Sequence, residues 1–207
     1  MHQCTQYLVD HRTPITGFTA LELLVTIAIV GILASLAIPA LQDFSLNNRA
    51  IGYINEFAAA VDFARNEAIK RGTPVTLCAS TAPQAAGPTC DGRKRWETGW
   101  ILFADHDRDA RPDVGAGACL TEEDCLLRVW DGSNAMTLRA GRTRITFDSL
   151  GAARGFNATW QLCDERGAAA ARAVILSAGG RLRRAEDTDG NGIPNGGTTD
   201  ITCPSIP

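Results

Sequence analysis

Gly17-Phe18-Thr19-Ala20-Leu21-Glu22-Leu23-Leu24-Val25 opens an apolar run that continues to Leu41 and carries no charge after Glu22. As a helix rising about 1.5 Å per residue, Phe18 to Leu41 is long enough to cross a hydrocarbon layer of about 30 Å. An ionisable group entering a bilayer costs on the order of 2.5 to 3.5 kcal/mol, so the one acid at the edge of this run marks a functional position that needs a partner. Residues 1–17 are polar, with His2, Asp10, His11 and Arg12, and lack the apolar middle of a secretory signal peptide. The small residue, Gly17, precedes the hydrophobic run. Cleavage there would leave the anchor on the mature chain.

After Pro39 the pattern turns amphipathic. Ile51, Ile54, Phe57, Ala58, Val61, Ala64, Ala68 and Ile69 recur at steps of three and four, with Arg49, Asn55, Glu56, Asp62, Arg65, Asn66 and Lys70 between them. One face of a helix is expected to be buried and the other wet. Gly72 and Pro74 supply the stop, because glycine suits the position after a helix and proline cannot continue one. Pro39 is expected to kink this spine, since its ring clashes one turn back and removes a hydrogen bond. The spine therefore divides into an apolar half, 18–41, and an amphipathic half, 42–72.

From residue 73 to residue 207 the chain reads as one β-rich domain, with short apolar runs broken by Gly, Pro, Asp and Ser. Strands are expected at 75–79, 99–104, 125–130, 136–138, 144–147, 159–163 and 173–177. Segment 82–93 and the tail from Glu186 read as loops. One sheet, or a pair of sheets, laid on the amphipathic helix would bury both apolar faces, which makes the fold class α+β with antiparallel strands.

Of seven cysteines, Cys4 would leave with the leader. The remaining six are Cys78, Cys90, Cys119, Cys125, Cys163 and Cys203, an even set that suits an oxidising compartment. Six cysteines allow fifteen pairings and the sequence alone does not choose among them. The reading taken is Cys78 with Cys90, Cys119 with Cys125 and Cys163 with Cys203, each joining neighbours around a turn or tying down the tail. Zinc is disfavoured because there is no CxxC pair and the only histidine after the leader is His106. That scarcity also argues against a Ser-His-Asp or Cys-His catalytic set, and no nucleophile elbow or phosphate-binding glycine loop occurs. The chain is not expected to be an enzyme or to need a cofactor.

Two acidic runs, Asp105-His106-Asp107-Arg108-Asp109 and Asp187-Thr188-Asp189-Gly190-Asn191-Gly192, alternate oxygen ligands as the start of a calcium loop does. Both lack the closing bidentate acid, Thr198 and Ala116 standing at the twelfth positions. Asp and Asn in series also form ordinary turns. Asp187, Asp189 and Asn191 are the weak calcium candidates, ahead of the first run, where Arg108 and Arg111 compete for the carboxylates.

Net charge is −3, yet it is unevenly placed. Between Arg128 and Arg184 ten arginines face four acids, whereas between Asp105 and Asp124 seven acids face two arginines. A surface polarised in this way can steer a polyanion despite an acidic total.

The residues from Gly17 to Val25 resemble the processing motif of type IV prepilins and pseudopilins. That resemblance implies cutting by a prepilin peptidase after Gly17, methylation of Phe18, and a role for Glu22 in compensating a terminal amine during filament assembly. Further along, Ala64-Arg65-Asn66-Glu67-Ala68-Ile69, Val75-Thr76-Leu77-Cys78, Gly99-Trp100-Ile101-Leu102-Phe103 and Val174-Ile175-Leu176-Ser177-Ala178-Gly179-Gly180-Arg181 look like the FimT/FimU/GspH group of minor pilins. The implied fold is pilin-like, a long N-terminal helix on a C-terminal antiparallel sheet domain. Gly180-Arg181-Leu182-Arg183-Arg184 is similar to the GRxR pattern of FimT-type subunits, which implies double-stranded DNA binding in natural transformation through Arg181, Arg183 and Arg184. Arg139, Arg142, Arg144 and Arg154 would help where they share that face. Implied partners are other major and minor pilins, and the implied location is the inner membrane with a periplasmic domain, then the pilus. The alternatives within the resemblance are a FimU-like structural subunit that primes the filament tip and a GspH-like pseudopilin of type II secretion.

Overall fold

The computed structural model describes residues 17–112 and 124–204. Helix α1 runs from Ala20 to Arg71 as one element of 52 residues with Pro39 inside it. Thr19 caps it: its Oγ1 accepts the backbone N–H of Glu22 at 3.2 Å, and its carbonyl accepts that of Leu23. Thr19 and Glu22 thus occupy the Ncap and N3 positions of a T-x-x-E pattern. The chain divides into two compact units, the first ending at Phe44 and the second running from Ser45. In the first unit the apolar side chains of α1, from Leu21 to Leu41, are exposed, as a segment built to be covered by lipid or by other helices would be.

The second unit holds the rest of α1 and two four-stranded antiparallel sheets. Its strands are β1 (Val75–Ala79), β2 (Gly99–Ala104), β3 (Cys125–Asp131), β4 (Thr137–Ala140), β5 (Arg144–Phe147), β6 (Ala158–Cys163), β7 (Arg172–Leu176) and β8 (Leu182–Arg184). One sheet has the order β3-β2-β1-β5 and the other β4-β6-β7-β8. The segment before β2 stitches the sheets together, with Trp96 donating its backbone N–H to Leu138 and its indole N–H to the carbonyl of Arg142.

Both sheets close on one stripe of α1. Ala50, Tyr53, Ile54, Phe57, Ala60, Val61, Ala64 and Ala68 are buried there. Alanines at 60, 64 and 68 fall in one row and present only a methyl group, which lets strands approach the helix closely. Phe57 lies where the layers meet: its ring centroid is 5.5 Å from that of Trp96, 5.4 Å from Trp100 on β2 and 5.6 Å from Trp160 on β6. The edge-on contacts with Trp96 and Trp100 suit the ring quadrupoles.

The stripe is turned relative to the sequence pattern. Ala50, Tyr53 and Ala60 join it, Ile51 and Ala58 are half-buried, and Ile69 is 49% exposed. Tyr53 is drawn in by an edge contact with Trp100, centroids 5.6 Å apart, which helical spacing alone does not reveal. Leu182–Arg184, expected only as a basic motif, is strand β8, and β3, β4, β6 and β7 differ from their expected limits by one or two residues.

Cys78 is bonded to Cys90, and Cys163 to Cys203. Cys125 is also in a disulfide; Cys119, and with it the expected Cys119 to Cys125 pairing, lies outside the described residues. The tail is held by more than sulfur. Thr159 Oγ1 donates to the carbonyl of Gly196, buried Asn195 donates its amide to Asp200, and Ile201 is buried against Cys163, Ala171 and Ala173.

Because Phe57 touches both sheets, Phe57→Ala in the mature chain is expected to lower stability by about 3 to 5 kcal/mol. Urea unfolding followed by tryptophan fluorescence measures this. A loss no larger than that of an exposed Asn55→Ala control would show that the ring cluster is not the organising contact.

Candidate functional site

Three features carry potential function: the helix entrance, the hairpin from β7 to β8, and the acidic loops. At the entrance, Gly17 has open space around it among the described residues and Phe18 is 77% exposed. Glu22 sits in the first turn of α1, where the positive end of the helix dipole favours a carboxylate by about 0.3 to 1 kcal/mol at an exposed site. Sequence reading missed Thr19, although T-x-x-E ahead of an apolar run is a recognisable signature.

The hairpin is built on a tight loop. Gly180 donates its N–H to the carbonyl of Ser177, and Ser177 donates to Arg181. Gly180 closes the loop at φ +77, the left-handed conformation this three-residue connection needs. A methyl group there would lie 2.1 Å from the carbonyl oxygen of Gly151. Gly151 is in turn pressed on α1, where a Cβ would come 2.7 Å from Ile69 Cδ1. A hydrogen bond from Ala153 N–H to the carbonyl of Ala178 completes the contact between hairpin and β5–β6 loop.

Strand alternation then sorts the arginines. Leu182 packs on the core, so Arg181 and Arg183 project to the other face, and both are exposed. Arg184 shares the side of Leu182 and donates to Asn55 Oδ1 of α1 at 2.8 Å. Among the described residues, neither Arg181 nor Arg183 has a carboxylate within salt-bridge distance. The three residues of the motif are therefore not equivalent. Arg139 is engaged elsewhere, its Nη2 lying 2.7 Å from an oxygen of buried Glu97 that Arg95 also approaches. Arg144 and Arg154 line one concavity, and the Arg142 side chain is exposed. Arg166 clasps Asp164; burial alone would raise that carboxyl, but the hydrogen bonds and charge of Arg166 outweigh it and hold it below the usual carboxylate range.

The acidic loops hold their own backbone. Asp187 accepts the N–H groups of Gly192 and Gly190, both at 2.8 Å, and these bonds, Gly192 first, depress its pKa. Asp189 and Asp200 accept the amide of Asn191. In the other loop, Asp105, Asp107 and Asp109 are joined by Asp124, the four offering oxygens within 4.8 Å of one another. Asp124 is too far along the chain for a spacing argument to have found it. Asp105 accepts Thr76 Oγ1 at 2.5 Å and the N–H of Ala110, while Asp107 and Asp109 accept N–H groups two residues on. That is the turn-forming role of aspartate.

Comparison with known proteins gives the following similarities. The family described as Type II transport protein GspH matches residues 53–180. Fimbrial protein Q of Moraxella bovis is 47% identical over 51 residues, 23% of this chain and 32% of that protein. A fimbrial protein of Pseudomonas aeruginosa is 36% identical over 64 residues, 31% of this chain and 41% of that protein. The chain thus spans well under half the length of these curated relatives. The crystal structure of the Pseudomonas aeruginosa type IV minor pilin FimU superposes with a TM-score of 0.49 at 19% identity, covering 69% of this chain and 92% of that one.

The chain belongs to the family described as Type II transport protein GspH.

Gly180→Ala forces a left-handed conformation, unfavourable by about 1 to 2 kcal/mol, against a carbonyl that cannot yield freely. Reduced stability with faster amide exchange in the hairpin and in 151–154 is expected. Unchanged exchange in 151–154 would refute the coupling of the two segments.

Proposed function

We propose that this protein is a minor type IV pilin of the FimT kind. A prepilin peptidase cuts after Gly17 and Phe18 becomes the methylated terminus. The segment 18–41 holds the subunit in the inner membrane, with the rest in the periplasm, until it joins other pilins in the filament. There it binds double-stranded DNA without reading sequence. The observation that carries the DNA reading is the pair Arg181 and Arg183, exposed on one face of an edge strand with no acidic partner among the described residues. Guanidinium groups so placed meet phosphates in either groove, which gives affinity and register rather than base specificity. Arg184, already bonded to Asn55, is the minor contributor.

Processing and assembly are separable. Gly17→Val is expected to leave an uncleaved precursor outside the filament, seen as a heavier membrane species by mass spectrometry. Glu22→Ala is expected to be cleaved normally and to be depleted from sheared pili, because its carboxylate no longer meets the incoming amine. Recovery of Glu22→Ala in pili at wild-type levels would remove that role.

For DNA, log affinity of the detergent-solubilised mature chain should fall linearly with log salt, by about 0.9 per phosphate neutralised. Gln at both 181 and 183 is expected to reduce the slope by up to about 1.8 and to lower transformation, with normal melting. Gln at 184 alone should change the slope less. Wild-type binding and transformation in the folded double variant would leave a purely structural subunit as the better account.

A further inference from the structure

A concavity of about 400 Å³ lies beside the edge strand β5. Its walls include Arg108, Arg144, Arg154, Asp148, Thr146 and Phe156. We propose that it is an oxyanion seat that takes one phosphodiester group; the nucleic-acid source of that group rests on the DNA reading above, whereas the oxyanion chemistry does not.

Three arginines and one carboxylate line the concavity, and that carboxylate is occupied. Asp148 Oδ1 accepts the backbone N–H groups of Leu150 at 3.0 Å and Ala152 at 2.9 Å, and Oδ2 stands 4.0 Å from Arg154 Nε. The two backbone bonds shape the β5–β6 loop, and Arg154, 79% exposed, stands at the limit of ion-pair distance. Arg144 Cζ lies over the ring of Phe156, 5.9 Å from the centroid, within cation–π range. Arg108 holds φ +64, a left-handed conformation rare outside glycine. Thr146 adds no donor: Thr76 spends its hydroxyl hydrogen on Asp105, so the 2.7 Å contact between the threonines takes the hydrogen of Thr146. The carboxylates of Asp105, Asp107 and Asp109 converge on Asp124, and none of them walls the concavity.

Three arginines from three separate segments suit a tetrahedral group. A planar carboxylate is satisfied by one bidentate guanidinium, whereas phosphate offers oxygens in several directions. The position fits a strand as well. Arg154 and Arg181 leave from backbone segments already in contact, through Ala153 to Ala178 and through Gly151 to Gly180. A nucleic-acid strand with one phosphate in the seat continues across the hairpin towards Arg181 and Arg183.

The test uses the mature chain in detergent micelles with labelled arginine side chains. Inorganic phosphate, titrated at constant ionic strength, is expected to shift the Nε–H resonances of Arg108, Arg144 and Arg154, and to leave Arg139 unmoved on Glu97. The Arg144→Gln/Arg154→Gln variant should lose the Arg108 shift, bind duplex DNA about fivefold more weakly at 0.15 M salt and show a slope smaller by about 0.9. The Arg181→Gln/Arg183→Gln variant should keep the phosphate response. Phosphate shifts in a wild-type chain that binds no duplex would uphold the seat and remove nucleic acid as its source. Absence of those three shifts overturns the seat, and an unchanged slope in the Arg144/Arg154 variant of a duplex-binding chain removes nucleic acid as its source.

Discussion

The contact of Phe57 with Trp96, Trp100 and Trp160 is the constraint on which the rest of the second unit depends. Neither sheet is wide enough to bury its own inner face, and a single helix stripe offers little apolar area. One ring touching β2, β6 and the segment between the sheets makes the three layers share a core, so helix and sheets gain burial together. The row of alanines beside it works in the opposite sense, through the absence of bulk. Large at the junction and small along the row, these positions set how closely the strands sit on α1.

Much of this was legible in the sequence. The apolar run, the change to amphipathic spacing after Pro39 and the stop at Gly72 and Pro74 define α1 because helix boundaries follow local chemistry. β1, β2 and β5 have their expected limits, each a short apolar or β-branched run between turn residues. Where reading failed, the missing information was non-local. Tyr53 belongs to the core only because Trp100 lies opposite it, and Leu182–Arg184 becomes a strand only because β7 offers a partner, its own residues being mostly charged. Asp124 joins the Asp105 loop across the chain in the same way.

The arginines illustrate why counting charge is not locating function. Ten of them between 128 and 184 look alike in a list of residues, yet the fold divides them by what they already touch. Arg139 is drawn to Glu97, Arg166 to Asp164, Arg172 to Asn47 and Arg184 to Asn55, while Arg128 lies over Trp130. Arg154 lies in the β5–β6 loop, and Arg181 and Arg183, exposed, lie on the hairpin that this loop touches. The glycines at 151 and 180 hold these two segments together by leaving no room between them.

The bond between Cys163 and Cys203 closes a covalent ring of chain that contains β7, the hairpin and the acidic tail. An exposed loop such as 186–192 is the sort of place proteases cut. One cut within the ring opens it without releasing either piece. The arginine-bearing hairpin would stay attached through sulfur, and the damage would be invisible by size until the disulfide was reduced.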